Sequence, residues 1–116
     1  MDLEMASIRT RTYSRYAREA GALMGDLIRL HRRRRKLTAQ DLADRAGISR
    51  TTLGKIETGD MKCEIGLVLE AAALVGIKLF DADQGALGDL RARTDDRIAF
   101  LPKTVRPPRG PIDDDF

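Results

Sequence analysis

One cysteine, one histidine and no tryptophan leave this chain few of the side chains from which small enzymes build their sites. With Cys63 alone, no internal disulfide and no cysteine-based zinc site can form, and a reducing compartment is expected. The only histidine, His31, sits in an arginine-rich segment and reads as a surface or packing residue rather than a general base. No histidine lies near Cys63, and no phosphate-cradling glycine loop or metal-ligand cluster appears. The adjacent acids Asp95-Asp96 and Asp113-Asp114-Asp115 lack supporting ligands and read as solvated. No catalytic residue, metal or cofactor is expected. No apolar run approaches the ~20 residues that span a bilayer, and the opening MDLEMASIRT lacks the apolar core of a secretory signal. The expectation is a soluble, cytoplasmic protein with no membrane partner. Aromatics are scarce too: Tyr13, Tyr16, Phe80, Phe100 and Phe116 are the full set. The core must come from Leu, Ile, Val and Ala, which favours helices over strands.

What is present is charge, unevenly distributed. Residues 5–62 hold 14 Lys/Arg against 6 Asp/Glu, whereas residues 63–116 hold 7 against 10. A polyanion is drawn to the first half and repelled by the second. A length of 116 residues suits one compact domain plus tails.

Glycines punctuate the middle of the chain. Ala46-Gly47-Ile48, Thr58-Gly59 and Val75-Gly76-Ile77 each close an apolar helical pattern with a residue suited to left-handed geometry. Thr38 offers an N-cap with Asp41 three residues on, a variant of the capping box, and Ser49 can cap the next helix. Helices are thereby predicted at about 39–46, 50–58 and 64–75. Upstream, Ala20, Leu23, Leu27 and Leu30 mark one apolar stripe of a helix running to about Arg35. Downstream, Leu87, Leu90, Ile98 and Leu101 share a face of a helix at about 85–100, with Asp83 as cap and Pro102 as stop.

Two short helices joined by a tight glycine turn, over residues 38–59, form a scaffold that lays its second helix into the major groove of duplex DNA. At about 100° per residue, Leu53 and Ile56 gather on one side of that helix, with Thr51, Gly54, Lys55 and Thr58 on the other and Arg50 and Thr52 flanking. The free-side residue types suit base and phosphate contact, since Arg grips the guanine O6/N7 edge and Thr offers a hydroxyl or a methyl. The basic run Arg32-Arg33-Arg34-Arg35-Lys36 complements the negative end of the first helix dipole and also reads as a phosphate-contacting group, with Arg35 and Lys36 favoured, or as a nuclear-import tag.

The segment LTAQDLADRAGISRTTLGKIETGD, followed by EIGLVLEAAALVGIKL, resembles the Cro/C1-type (XRE) repressor domain over residues 23–79. The resemblance implies an all-α, lambda-repressor-like helix-turn-helix bundle of four to five helices, with a flexible N-terminal arm and a C-terminal tail. It implies a homodimer on a pseudo-palindromic double-stranded DNA operator. Contacts would come from Arg50, Thr51, Thr52 and Lys55, with Thr38 and Thr58 near phosphates, and Gln40, Ser49, Arg35 and Lys36 completing the DNA-binding set. Two positions depart from the family pattern: Ala39 stands where glutamine is common, with Gln40 beside it, and Cys63 stands where proline is frequent.

On these grounds the chain divides into an arm at 1–12, the DNA-binding domain at 13–80, an additional helix at 81–101 and a tail at 102–116. The tail holds all four prolines and ends in Asp113-Asp114-Asp115-Phe116. RIAFLPKTVRPPRG with IDDDF is similar to tails of HipB-type antitoxins, whose partners are HipA-type kinase toxins. An unstructured tail of this kind can place Phe116 in an apolar pocket while the three carboxylates meet basic groups. The expected function is a transcriptional repressor that doubles as an antitoxin, the alternative being a stand-alone regulator with no toxin partner. Leu87, Leu90, Ile98 and Leu101 form either the dimer surface or a face that packs onto the domain.

Overall fold

The computed structural model describes residues 11–104 and Pro107. Asp113, Asp114, Asp115 and Phe116, and nearly all of the expected N-terminal arm, lie outside the described residues. Five α-helices follow one another: α1 (Arg15–Arg34), α2 (Ala39–Ala46), α3 (Arg50–Glu57), α4 (Ile65–Leu74) and α5 (Gln84–Ala99), with a 3-10 turn at Leu79–Asp81. The fold is all-α, with no strand among the described residues. None of these helices is long and apolar enough to cross a membrane. The chain forms two compact units, Met1–Leu79 and Phe80–Phe116.

Local chemistry accounts for the helix starts. Thr38 accepts from the Asp41 amide at 3.0 Å while the Asp41 carboxylate accepts from the Thr38 amide at 2.9 Å, so two orphan donors are satisfied reciprocally. That bond holds the Asp41 carboxyl below the ordinary carboxylate range. Its stabilising contribution is therefore complete at neutral pH and is lost as the pH falls through the depressed value. Ser49 caps α3 by accepting from the Thr52 amide at 3.0 Å, and Asp83 caps α5 by accepting from Ala86 at 2.9 Å.

The helix ends of the first unit share one device. After α2, Gly47 takes φ 70°, and Ile48 donates back to Ala43 at 3.0 Å while packing on the core. This is the 6→1 bond of a Schellman motif. Asp60 to Lys55 and Ile77 to Ala72 repeat it after α3 and α4, both at 3.0 Å. After α1 the left-handed position falls to Lys36 (φ 57°), a conformation that costs an L-residue roughly 1–2 kcal/mol.

The core of the first unit joins Ile28 of α1, Leu42 and Ala43 of α2, Leu53 and Ile56 of α3, and Ala71, Ala72 and Val75 at α4, with Met24, Leu67 and Val68 packed around it. The face that α1 turns inward differs from the expected leucine stripe. Gly25, Ile28 and Arg32 are buried, whereas Leu23 is 57% and Leu30 43% exposed. The reason is close approach: a Cβ on Gly25 would lie 2.6 Å from the carbonyl oxygens of both Ile56 and Glu57. Only a face that opens with glycine lets the end of α3 come so near, and a leucine face holds the backbones apart. Gly21, one turn earlier, lies against the flexible thioether of Met61 rather than against backbone.

Two glycine substitutions should therefore act with opposite sign. Gly25→Ala should lose about 1–3 kcal/mol of stability through overpacking. Gly54→Ala, in the exposed interior of α3 with nothing within 4 Å of its Cβ, should gain about 0.5–1 kcal/mol. Urea denaturation of the two variants beside the parent chain measures both.

Candidate nucleic-acid interface

Helix α3 is amphipathic in the way its sequence predicts. Leu53 and Ile56 are buried, Arg50, Thr51, Gly54, Lys55 and Thr58 are exposed, and Thr52 is intermediate. The exposed side is thus a short ridge of two cations and small hydroxyl side chains with a gap at Gly54.

The hydroxyls at either end of this ridge are held by local hydrogen bonds. Ser49 Oγ donates to Thr52 Oγ1 at 3.0 Å, and Thr58 Oγ1 donates to the Lys55 carbonyl at 3.1 Å. On α2, Thr38 and Gln40 are exposed at the first turn, and the Gln40 amide donates to Asp44 at 2.8 Å. The carboxamide is therefore braced along its own helix. The turn through Gly47 joins α2 to α3 and sets their relative angle, and the two helices pack directly on one another.

The residues of the basic run differ in burial. Arg33, Arg34, Arg35 and Lys36 are exposed, but Arg32 is buried. The Arg35 guanidinium lies directly over Gly76, at the end of α4, where any Cβ would collide with it. Lys36 occupies the left-handed corner that leads to Thr38.

Arg32 meets Glu57, an acid at the end of α3 that is only 5% exposed. Arg32 Nε donates to Glu57 Oε2 at 2.7 Å and Nη2 donates to Oε1 at 3.0 Å, a fork-to-fork pair, while Nη1 donates to the Leu37 carbonyl at 3.0 Å. The hydrogen bond to Glu57 raises the Arg32 pKa still further. Arg29 adds a bond from Nη2 to the Glu57 carbonyl at 3.2 Å, satisfying one of the orphan acceptors at the end of α3. The long helix, the corner before α2 and the end of α3 are thus tied at one point. Glu57 has no counterpart among the expected site residues. Its signal was present, because it lies one residue past Ile56 on the apolar side of α3, and a carboxylate there requires a buried cation.

Two helices joined by a tight turn, the second packed by its apolar side and carrying a basic ridge on the other, form a helix-turn-helix. Residues 23–81 match the family described as helix-turn-helix domain. The chain belongs to that family. This helix-turn-helix protein matches no curated protein and no solved structure. The family supports a DNA-binding regulator and an XRE-like domain. Within the matched span, α2 and α3 supply the motif, and α1 and α4 hold it from behind.

Removing one partner of the buried pair should damage the whole domain. Glu57→Ala should cost about 3–5 kcal/mol by leaving the Arg32 cation buried and unpaired. Arg32→Met combined with Glu57→Leu should recover part of that loss, the remainder reflecting the Leu37 carbonyl left without its donor. Chemical denaturation of both variants reads the difference.

Proposed function

We propose that this chain is a sequence-specific transcriptional repressor that binds its operator as a homodimer, with α3 in the major groove. The observation that carries the reading is the exposed ridge of α3, in which Arg50, Thr51 and Lys55 face outward from a helix held by Leu53, Ile56 and Glu57. Arg50 stands at the first residue of α3, the end that reaches base edges when a recognition helix docks. Lys55, Thr51 and Thr52 extend the contact along the helix. Thr38, Gln40, Ser49 and Thr58 lie at the ends of α2 and α3, where phosphate oxygens flank the groove. Lys36 and Arg35 add charge at the corner before α2. A single helix reads few base pairs, so two half-sites about one helical turn apart and a two-fold protein are the matching arrangement.

The finer reading is an antitoxin that represses its own operon and neutralises a HipA-type kinase. It is supported by the tail sequence, whose Asp113, Asp114, Asp115 and Phe116 join three carboxylates to an aromatic end. The alternative is a stand-alone regulator of the XRE type. The two differ in whether the neighbouring reading frame encodes such a kinase.

Arg50→Ala should weaken operator binding by about 1–3 kcal/mol and relax base preference, whereas Lys36→Ala should lower affinity evenly across sequences and reduce the salt slope by about one. Fluorescence-anisotropy titrations at several salt concentrations, on the selected operator and on scrambled duplex, separate these effects. Equal affinity and preference for the parent and the Arg50 variant would remove that residue from base reading. Deleting residues 102–116 should leave operator affinity within about twofold and abolish capture of the encoded kinase. Capture by the truncated chain would place that contact elsewhere.

A further inference from the structure

An apolar groove of about 360 Å³ lies between the first half of α1 and the corner that joins α3 to α4. Ala17, Gly21 and Met24 line it from α1, Met61 and Cys63 from the corner, and Ile65 from the start of α4. All of these residues belong to the first compact unit. Asp60 is the one charged side chain in the lining, and its Oδ1 already accepts from the Lys62 amide at 2.9 Å. Ile65 is 75% exposed at the edge of this groove, so a cover would remove apolar surface from water.

The chain that leads into α1 is anchored at one end of the groove. Ser14 caps α1 by accepting from the amide of Ala17, itself a lining residue, at 3.1 Å. Residues 1–10 lie outside the described part of the chain, and at about 3.3 Å per extended residue they can reach about 33 Å. The stretch of α1 from Ala17 to Met24 is only about 10 Å long at roughly 1.5 Å per residue. Residues 6–10 are thus enough to bring the chain back to Ala17, which leaves residues 1–5 to lie along the groove. Their sequence, Met1-Asp2-Leu3-Glu4-Met5, alternates apolar and acidic. In an extended segment that alternation puts Met1, Leu3 and Met5 on one side and Asp2 and Glu4 on the other. Methionine and leucine suit an irregular groove that methionines already line. The acidic side stays in water at the rim, beside the start of α4, where Glu64 makes no side-chain capping bond and the helix dipole is positive. The far end of the chain has no such alternation, since Ile112 and Phe116 are separated by three aspartates. We propose that residues 1–5 dock into this groove of their own chain as an extended segment, with Met1, Leu3 and Met5 inward. The segment then clasps α1 to the corner after α3 instead of forming a free arm. This intramolecular surface goes beyond the repressor reading and does not depend on it.

The native Cys63 supplies the test, because it lines the groove. Under mild oxidation of the full chain, Leu3→Cys and Met5→Cys should each form a disulfide with Cys63 within one molecule, about tenfold faster than Asp2→Cys and Glu4→Cys, whose side chains face away. Ile65→Glu places a charge at the exposed edge of the groove and should slow the fast pair to the rate of the slow pair. Mass spectrometry of quenched samples reads the rates and separates links within a chain from links between chains. Circular dichroism checks that each variant stays helical. Independently, nuclear Overhauser contacts in the parent chain should join the Leu3 methyls to the ε-methyl of Met24 or Met61. Equal rates at all four positions would show collision without docking and overturn the proposal. So would disulfides formed mainly between two chains, which would assign the groove to another copy's segment, or a parent chain with no contact between Leu3 and the lining residues.

Discussion

A guanidinium and a carboxylate, both almost out of water, hold the helix-turn-helix together. Arg32 and Glu57 meet through two hydrogen bonds, and the third arm of the guanidinium reaches the Leu37 carbonyl at the corner before α2. Burying two charges is unfavourable unless each is fully partnered, so the pair tolerates only one relative placement of α1 and α3. That requirement explains why α1 is a helix with glycines on its inner face. Bulk at Gly25 would push the Glu57 backbone away from the very cation that its side chain must meet. The position of the α3 ridge is therefore set by an interaction on the opposite side of the helix from the one that faces outward.

The same placement divides the basic residues by role. In a run of five, Arg32 is structural, Arg35 covers Gly76, and Lys36 holds a strained corner. What remains outward on α3 is small and specific in type: one arginine at the start, one lysine in the middle, threonines between and a glycine that leaves a gap.

Much of the fold was legible from residues close together in the chain. The caps at Thr38, Ser49 and Asp83 were visible because a cap involves partners within three residues. The ends of α2, α3 and α4 were marked by glycines, since a left-handed turn follows from one residue's backbone preference. The end of α1 was not marked this way, and Lys36 adopts that geometry against its preference. The outward set on α3 was likewise readable from its period. The leucine stripe of α1 misled, because periodicity identifies an apolar face without saying whether it is the one that packs. Two glycines and an arginine, which add little to an apolar count, define the inner face instead.

The sequence by itself determined the boundaries of α2 to α5 and the end of α1 to within a residue or two, and the division of α3 into a packed side and a free side, but not where α1 begins. All of these depend on contacts within a turn or two of the chain. Only the tertiary structure decided that α1 faces inward through Gly25, Ile28 and Arg32, that Glu57 is an anchor, and that Arg35 sits over Gly76. Those outcomes join residues 25 to 41 positions apart, and no local preference reports which distant group will arrive beside a given side chain.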